Sequence, residues 1–389
     1  MSPICDKLFA LTRDRSLHNI LEAPPPCYLV FEVTTRCNLR CVMCPHGIGA
    51  VQSPRDAADV LVKDLWEFIE TTDIVHLNSV GEPLLAGPFW RILRLLKGRK
   101  RPGISINTNG HLLSAENAAS LFEAPLHTVS VSLDAARPET YRRLRGADFR
   151  KAIRGIEHLV RARDSRKDSE ARLGASMVLM EENIGELTEF IELAAGLGLE
   201  FVSLIHLVPP GTHQWLVSGS DGWEFDYHKQ QLLNHPDISD RMLLRALEVA
   251  GEKGITILSC NSLWFTRMKD NDRCPRFELG GIGGHGMPNV DALELSDCPH
   301  PWEWLQVRGN GDVLPCLYAQ KPVGNIVKDG GVKGIWNGHE LRRLRKDIIA
   351  GRLNRVCAGT ACPYPTGRPK SETGLRRYTG QIVRWFSRQ

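Results

Sequence analysis

From residue 27 onward, short apolar runs alternate with longer stretches in which apolar residues recur every three or four positions. The runs at 28–33 (YLVFEV), 74–80 (IVHLNSV), 103–109 (GISINTN), 128–134 (TVSVSLD), 175–180 (ASMVLM) and 201–208 (FVSLIHLV) have the length and composition of strands. The segments at 59–72, 88–100, 114–124, 150–165 and 184–198 between them carry the helical period. Six β-then-α units in succession predict a parallel sheet covered by helices, either open or curled into a partial barrel. In such sheets functional groups gather at the carboxyl ends of the strands.

After about residue 215 the pattern changes. A polar insertion at 215–235 carries Trp215, Trp223 and Tyr227, which could stack on a ring or simply sit on the surface. A helical pattern (241–254), a strand-like run (255–260) and a Gly/Pro-rich stretch (274–301) follow. Alternating apolar residues flank Asn310-Gly311 in 302–318, a strong hairpin signal. The expected division is an N-terminal extension (1–26), a core (27–215), a region completing it (216–290), a small C-terminal unit (291–365) and a basic tail (366–389).

Composition narrows the setting. A chain of 389 residues that is 42% hydrophobic can bury a large core without disulfide staples. Charge interrupts the N-terminus within ten residues, so no secretory signal is expected, and no apolar stretch approaches the ~18 residues of a membrane span. A cytoplasmic location is expected, where clustered thiols stay reduced and bind metal more often than they form disulfides. The formal net charge is +4, yet residues 340–389 carry twelve basic against three acidic residues. No aromatic-interleaved nucleic-acid pattern accompanies them, so a solvated basic end is expected rather than a nucleic-acid partner.

The chemistry starts at residues 36–46, RCNLRCVMCPH. Cys37, Cys41 and Cys44 are an odd number within eight positions and cannot pair off. Three thiolates on one loop can cap three irons of a cubane and leave the fourth iron open. Zinc would need a fourth ligand, for which His46 is available, though without the usual two-pair spacing. Apolar packing alone gives no reason for the spacing.

The CNLRCVMC loop resembles the C-x3-C-x2-C signature of the radical S-adenosylmethionine (SAM) superfamily. The resemblance spans roughly 27–210: VGEPLL resembles that family's Gly-Gly-Glu segment, with Val80 in place of the first glycine, and INTNG and SVSLDAARPETYRRLRG resemble its later strand-end segments. It implies a partial (β/α)6 TIM-like barrel in which Cys37, Cys41 and Cys44 hold a [4Fe-4S] cluster whose open iron binds SAM. Reductive cleavage then yields a 5′-deoxyadenosyl radical that abstracts a substrate hydrogen. Gly81 and Glu82 would meet the methionine amino group, Met43 would lie near the adenine, and Asn107, Asn109, Ser132 and Asp134 would meet SAM or substrate. Ordinary turn and capping duty is the other reading of these four polar residues.

Four further cysteines form two separated pairs, Cys298 with Cys316 and Cys357 with Cys362. The glycine-x4-cysteine hairpin, VGNI (323–326), IWNG (335–338) and the closing pair resemble the SPASM auxiliary-cluster region or its shortened Twitch form. This implies a small Twitch-type β-hairpin/helix domain with one auxiliary [4Fe-4S] cluster. Cys357 to Cys362 is wider than usual, so Cys274 is an alternative ligand, and a zinc site with four cysteine ligands is the alternative metal centre. Cys5, Cys27 and Cys260 read as packing residues, but Cys260 and Cys274 could also donate a hydrogen atom to a product radical. The G-x-G-x-x-G at Gly281, Gly283 and Gly286 follows no strand and reads as a loop; His206 and His285 read as packing or loop residues.

The expected activity is therefore hydrogen abstraction from a small hydroxylated natural-product intermediate, such as a sugar, nucleoside or aminocyclitol, leading to dehydrogenation, epimerisation or a related rearrangement. Modification of a ribosomally made peptide is the alternative, and a non-catalytic iron–sulfur electron carrier is the alternative of another class. A flavodoxin or ferredoxin would supply the electron.

Overall fold

The computed structural model describes residues 21–78, 80–166, 168–207, 216–218, 222–259, 277–278, 298–316, 318–319 and 321–358. Cys260, Cys274, Cys362, Trp215, the glycine loop at 280–286 and the tail at 366–389 lie outside them.

Strands β1 (Tyr28–Phe31), β2 (Ile74–His76), β3 (Gly103–Thr108), β4 (Leu126–Ser132), β5 (Arg172–Leu179) and β6 (Phe201–His206) lie side by side in sequence order, every pair parallel. That order is what β-then-α units produce when each helix returns the chain to the next sheet position. The helices Asp59–Thr71, Gly87–Leu95, Ala115–Leu121, Phe149–Asp164 and Leu187–Gly196 fall on the segments with the helical period. The family-implied segment after β4 also holds a short helix, Pro138–Arg145, closed by Gly146 in the left-handed conformation.

Alternation sorts the side chains. Ile104, Ile106, Val129, Val131, Leu173, Ala175, Met177, Val202 and Leu204 join one large core with the helices. The intervening positions, His76, Ser105, Asn107, Thr128, Ser130, Ser132, Ser176 and Ser203, occupy the opposite face of the same strands. One face of the sheet is therefore apolar and the other rich in hydroxyl and amide groups.

The insertion differs from both expectations for it. Strands β7 (Leu216–Ser218) and β8 (Glu224–Asp226) form an antiparallel pair. Phe225 and Tyr227 are buried in a second apolar cluster with Val42, Ile48 and Leu144, against which Met43 and Trp223 pack. Trp223 also lies under the Arg143 guanidinium. These aromatics brace the thiol loop instead of standing free.

Both edges of the main sheet are extended. Beyond β6, strands β9 (Thr256–Ser259) and β10 (Phe277–Glu278) continue the parallel set. At the other edge the C-terminal unit joins: β11 (Trp304–Val307) pairs in parallel with β1, and β12 (Asp312–Leu314) and β13 (Gly324–Asn325) follow antiparallel. The hairpin turn falls at the anticipated Asn-Gly, where Gly311 has φ of 87°. Residues 21–24 dock on the last helices: Trp336 Nε1 donates to Pro24 O at 2.7 Å, and Asn337 exchanges two bonds with Ala23. No described helix is long and apolar enough to cross a membrane.

Candidate metal centres

The three-thiol loop leaves the end of β1 and is riveted on both sides. Arg36 makes a two-pronged ion pair with Asp56 (2.8 and 2.9 Å) and donates to Leu85 O (2.8 Å). Val42 N donates to Leu144 O at 2.9 Å, and Tyr227 OH donates to Val42 O at 3.4 Å. Within the loop Cys44 N donates to Cys41 O (3.0 Å) and Gly47 N to Cys44 O (2.8 Å), and the three thiols are near enough that each charge bears on another. Gly47 belongs there because a Cβ would stand 2.1 Å from Cys41 O.

Cys41 is buried, and Cys37 and Cys44 are half-buried. Burial pushes all three thiols up, Cys41 to about 12, while the Arg145 guanidinium acts downward on each. Backbone and side-chain N–H groups also serve the sulfurs: Leu39 N lies 3.5 Å and Asn109 Nδ2 3.9 Å from Cys37 Sγ, and the His46 amide faces Cys44. Donors aimed at sulfur and a nearby cation suit thiolates bound to metal. Among the described residues no three His, Cys, Asp or Glu side chains are placed to hold a single ion.

Gly81 and Glu82 close the loop from the β2 side. Glu82 N donates to Arg36 O at 2.8 Å, and a Cβ on Gly81 would meet Thr34 O at 2.5 Å and Arg36 O at 2.6 Å. The Glu82 carboxylate accepts from Thr108 Oγ1 (2.8 Å), Asn109 N (2.8 Å) and Leu84 N (3.2 Å). Burial nevertheless raises its pKa. The residue thus ties the loop after β2 to the end of β3.

The remaining candidates occupy neighbouring strand ends. Asn109 donates through Nδ2 to Asn38 Oδ1 at 2.8 Å, joining β3 to the thiol loop. Asn107 is half-buried, and its carbonyl accepts from Asn78 Nδ2 at 2.6 Å. Ser132 accepts from Ser176 Oγ at 3.2 Å. Asp134, in the left-handed region with φ of 62°, accepts from Val178 N through Oδ1 and from Arg145 through Oδ2.

Arg145 escaped the sequence reading as a separate residue. Its side chain is 9% exposed and that of Asp134 is 1% exposed, so the pair is removed from water. Its neighbours Arg142 and Arg143 are exposed. Nothing in the local text YRRLRG distinguishes the buried arginine from the other two.

The second centre lies under the C-terminal hairpin. Cys298, Cys316 and Cys357 line one pocket, together with His300, Tyr318 and the apolar Leu344, Ile348 and Val356. The amides of Tyr318 and Ala319 face Cys316, whose thiol burial pushes up. Three sulfurs in one largely apolar pocket, one of them met by two amide donors, fit an iron–sulfur group there.

A family model described as the radical SAM superfamily matches residues 31–211, and one described as SPASM, an iron–sulfur cluster-binding domain, matches residues 298–363. Mycofactocin maturase MftC of Mycolicibacterium smegmatis is 29% identical over 356 residues, 90% of this chain and 80% of that protein. AdoMet-dependent heme synthase of Methanosarcina barkeri is 26% identical over 86% of this chain and 90% of that protein. The fold matches Streptococcus suis SuiB bound to S-adenosylmethionine with a TM-score of 0.59 at 17% identity, over 92% of this chain and 74% of that one. The polypeptide anSMEcpe with bound AdoMet matches with the same score at 18% identity, over 93% of both chains.

Proposed function

Since this chain belongs to the radical SAM superfamily and carries a SPASM iron–sulfur cluster-binding domain, we propose that Cys37, Cys41 and Cys44 hold the SAM-binding [4Fe-4S] cluster and that Cys298, Cys316, Cys357 and Cys362 hold one auxiliary cluster. The observation that carries the reading is the convergence of the three-thiol loop, the Gly81–Glu82 turn and the end of β3 through Glu82 and Asn109. When bound, the first cluster and SAM supply a 5′-deoxyadenosyl radical, which takes a hydrogen atom from the substrate.

The chain's own residues do three things around that chemistry. Glu82 and Asn109 hold the thiol loop against the strand ends. Arg145, though paired with Asp134, acts on the thiols more strongly than Asp134 does and leaves a net positive potential beside them. Phe225 and Tyr227 cover the outside of the loop and keep water from its back. Asn107, Ser132 and Ser176 offer hydrogen bonds at the mouth. The electron comes from an external one-electron donor of the flavodoxin or ferredoxin class.

The substrate reading we favour is a peptide. Relatives aligned over 90% of the chain are named maturases, which moves the weight from the small hydroxylated substrate expected from the sequence. That second reading keeps one observation in its favour, the hydroxyl- and amide-rich inner face formed by Ser105, Asn107, Ser130, Ser132, Ser176 and Ser203. The test is deuterium transfer. Deuterated peptides encoded beside the gene, and deuterated sugars or nucleosides, are offered to reduced, reconstituted enzyme, and deuterium is sought in 5′-deoxyadenosine. Transfer from a peptide supports the first reading, transfer from a sugar or nucleoside the second, and SAM cleavage without transfer from either class overturns both.

A further inference from the structure

Arg345 is fully buried on the helix His339–Ile349, on the same face as Leu344 and Ile348. Its donors serve carbonyl groups: Nε to Pro301 O at 3.0 Å, Nη1 to Leu21 O and Asn337 Oδ1 at 2.8 Å each. Its guanidinium stacks over Trp336 at 4.8 Å. Nη2 has no hydrogen-bond partner among the described residues. The charged neighbour that bears on it is a second cation, Arg342. Arg145 in the other centre has Asp134 for its charge; Arg345 has no carboxylate among the described residues.

A buried cation without a counter-charge is costly by several kcal/mol, and carbonyl acceptors offset only part of that. Among the described residues no carboxylate pairs with it, Glu22 nearby being taken by Arg342, but a pocket able to hold negative charge lies alongside. Pro301, Leu344 and Ile348 are walls of the pocket that Cys298, Cys316 and Cys357 line. Arg345 bonds the first of these walls and adjoins the other two on its helix. Four thiolates outweigh the positive charge of a [4Fe-4S] core, so a cluster in that pocket is anionic and gains a further negative charge on reduction.

We propose that Arg345 is the buried counter-charge of the auxiliary cluster and a positioning residue that sets its reduction potential, an inference that rests on the auxiliary-cluster reading above. The pKa of Arg345, drawn down to about 10 by burial, is consistent with a charge awaiting its partner. A cation behind the pocket wall stabilises the reduced cluster more than the oxidised one, and so raises the potential.

The test uses the full-length chain with Cys37, Cys41 and Cys44 replaced by alanine, which isolates the auxiliary site. About four irons in this parent are required; their absence defeats the auxiliary-cluster reading itself, and the inference with it. Arg345→Gln and Arg345→Lys are then compared with the parent by dithionite titration followed by electron paramagnetic resonance. The expected result is a lower midpoint potential in Arg345→Gln and a near-parent value in Arg345→Lys. A merely structural arginine would weaken folding and leave the potential where it was. An unchanged potential in an iron-replete Arg345→Gln overturns the inference, as does an equal fall in both variants. If Arg345→Gln sheds its iron, Arg345→Lys decides: retention of iron and potential supports the inference, and loss overturns it.

Discussion

Arg145 donates to Asp134 through both Nε and Nη2, in a pair that is almost wholly removed from water and stands beside the three-thiol loop. Asp134 spends its second oxygen on Val178 N at 2.7 Å, and Asn183 Nδ2 holds its carbonyl at 2.8 Å. One ion pair thus joins the ends of β4 and β5 to the helix whose Leu144 bonds Val42. Arg145→Met leaves Asp134 buried without its cation and should cost roughly 3–5 kcal/mol. Asp134→Asn combined with Arg145→Met should cost less than the two single changes together. Urea denaturation of the four proteins measures both quantities.

The backbone around Gly81 leaves no room for a side chain. A Cβ there would stand 2.5 Å from Thr34 O and 2.6 Å from Arg36 O, neither of which can rotate away. Gly81→Ala should destabilise the protein by about 1–3 kcal/mol and lower the iron retained by the thiol loop. Iron analysis in a background lacking Cys298 and Cys316 isolates that loop; full retention there would show that Gly81 does not set its geometry.

Phe225 lies in the cluster that backs the thiol loop, edge-on to both Trp223 and Tyr227. Phe225→Ala should cost about 3–5 kcal/mol and speed the loss of iron to a chelator, because Val42 and Ile48 lose their cover. The half-time of iron release to a chelator measures this directly.

Glu303 carries a pH signature. Burial raises its pKa from 4.5 to about 8, so the folded state favours the protonated acid. Its contribution is complete below the unfolded pKa and is lost as pH rises through about 8. Between pH 5 and pH 9 wild type should lose up to about 4 kcal/mol through this group. Glu303→Gln should flatten that part of the profile and be more stable than wild type at pH 9. Thermal melts across the range would reveal an unchanged slope if the carboxyl were solvated.

The strands and the metal chemistry were the most legible parts of the text. β1 to β6 are short β-rich runs between turn signals, and each begins within three residues of its apolar run, because sheet burial is what selects those residues; β2 ends four residues before its run does. The thiol loop is legible because its ligands are contiguous, and the family match over 31–211 covers the stretch that carries it. Arg145 and Arg345 were not legible: each sits among exposed arginines, and which one is buried depends on how its helix meets the rest of the chain. The role of Phe225 and Tyr227 was hidden for a related reason. Their partners Val42 and Ile48 lie far away in the chain, near its start, and no local pattern records such a contact.

Glu82 shows the same limit from the other side. Its motif marked it as a SAM contact, while two of its three hydrogen bonds come from Thr108 and Asn109, across a strand pair. Those bonds give it a loop-holding duty whatever else its carboxylate meets.

The central claim is that Cys37, Cys41 and Cys44 hold a cluster that cleaves SAM. The most direct measurement is 5′-deoxyadenosine formation by anaerobically reconstituted, dithionite-reduced protein, with iron counted in the same samples. Wild type should bind about eight irons and form 5′-deoxyadenosine, whereas Cys41→Ala should retain about four and form none. Undiminished 5′-deoxyadenosine formation by Cys41→Ala, or none by an iron-replete wild type, would contradict the account.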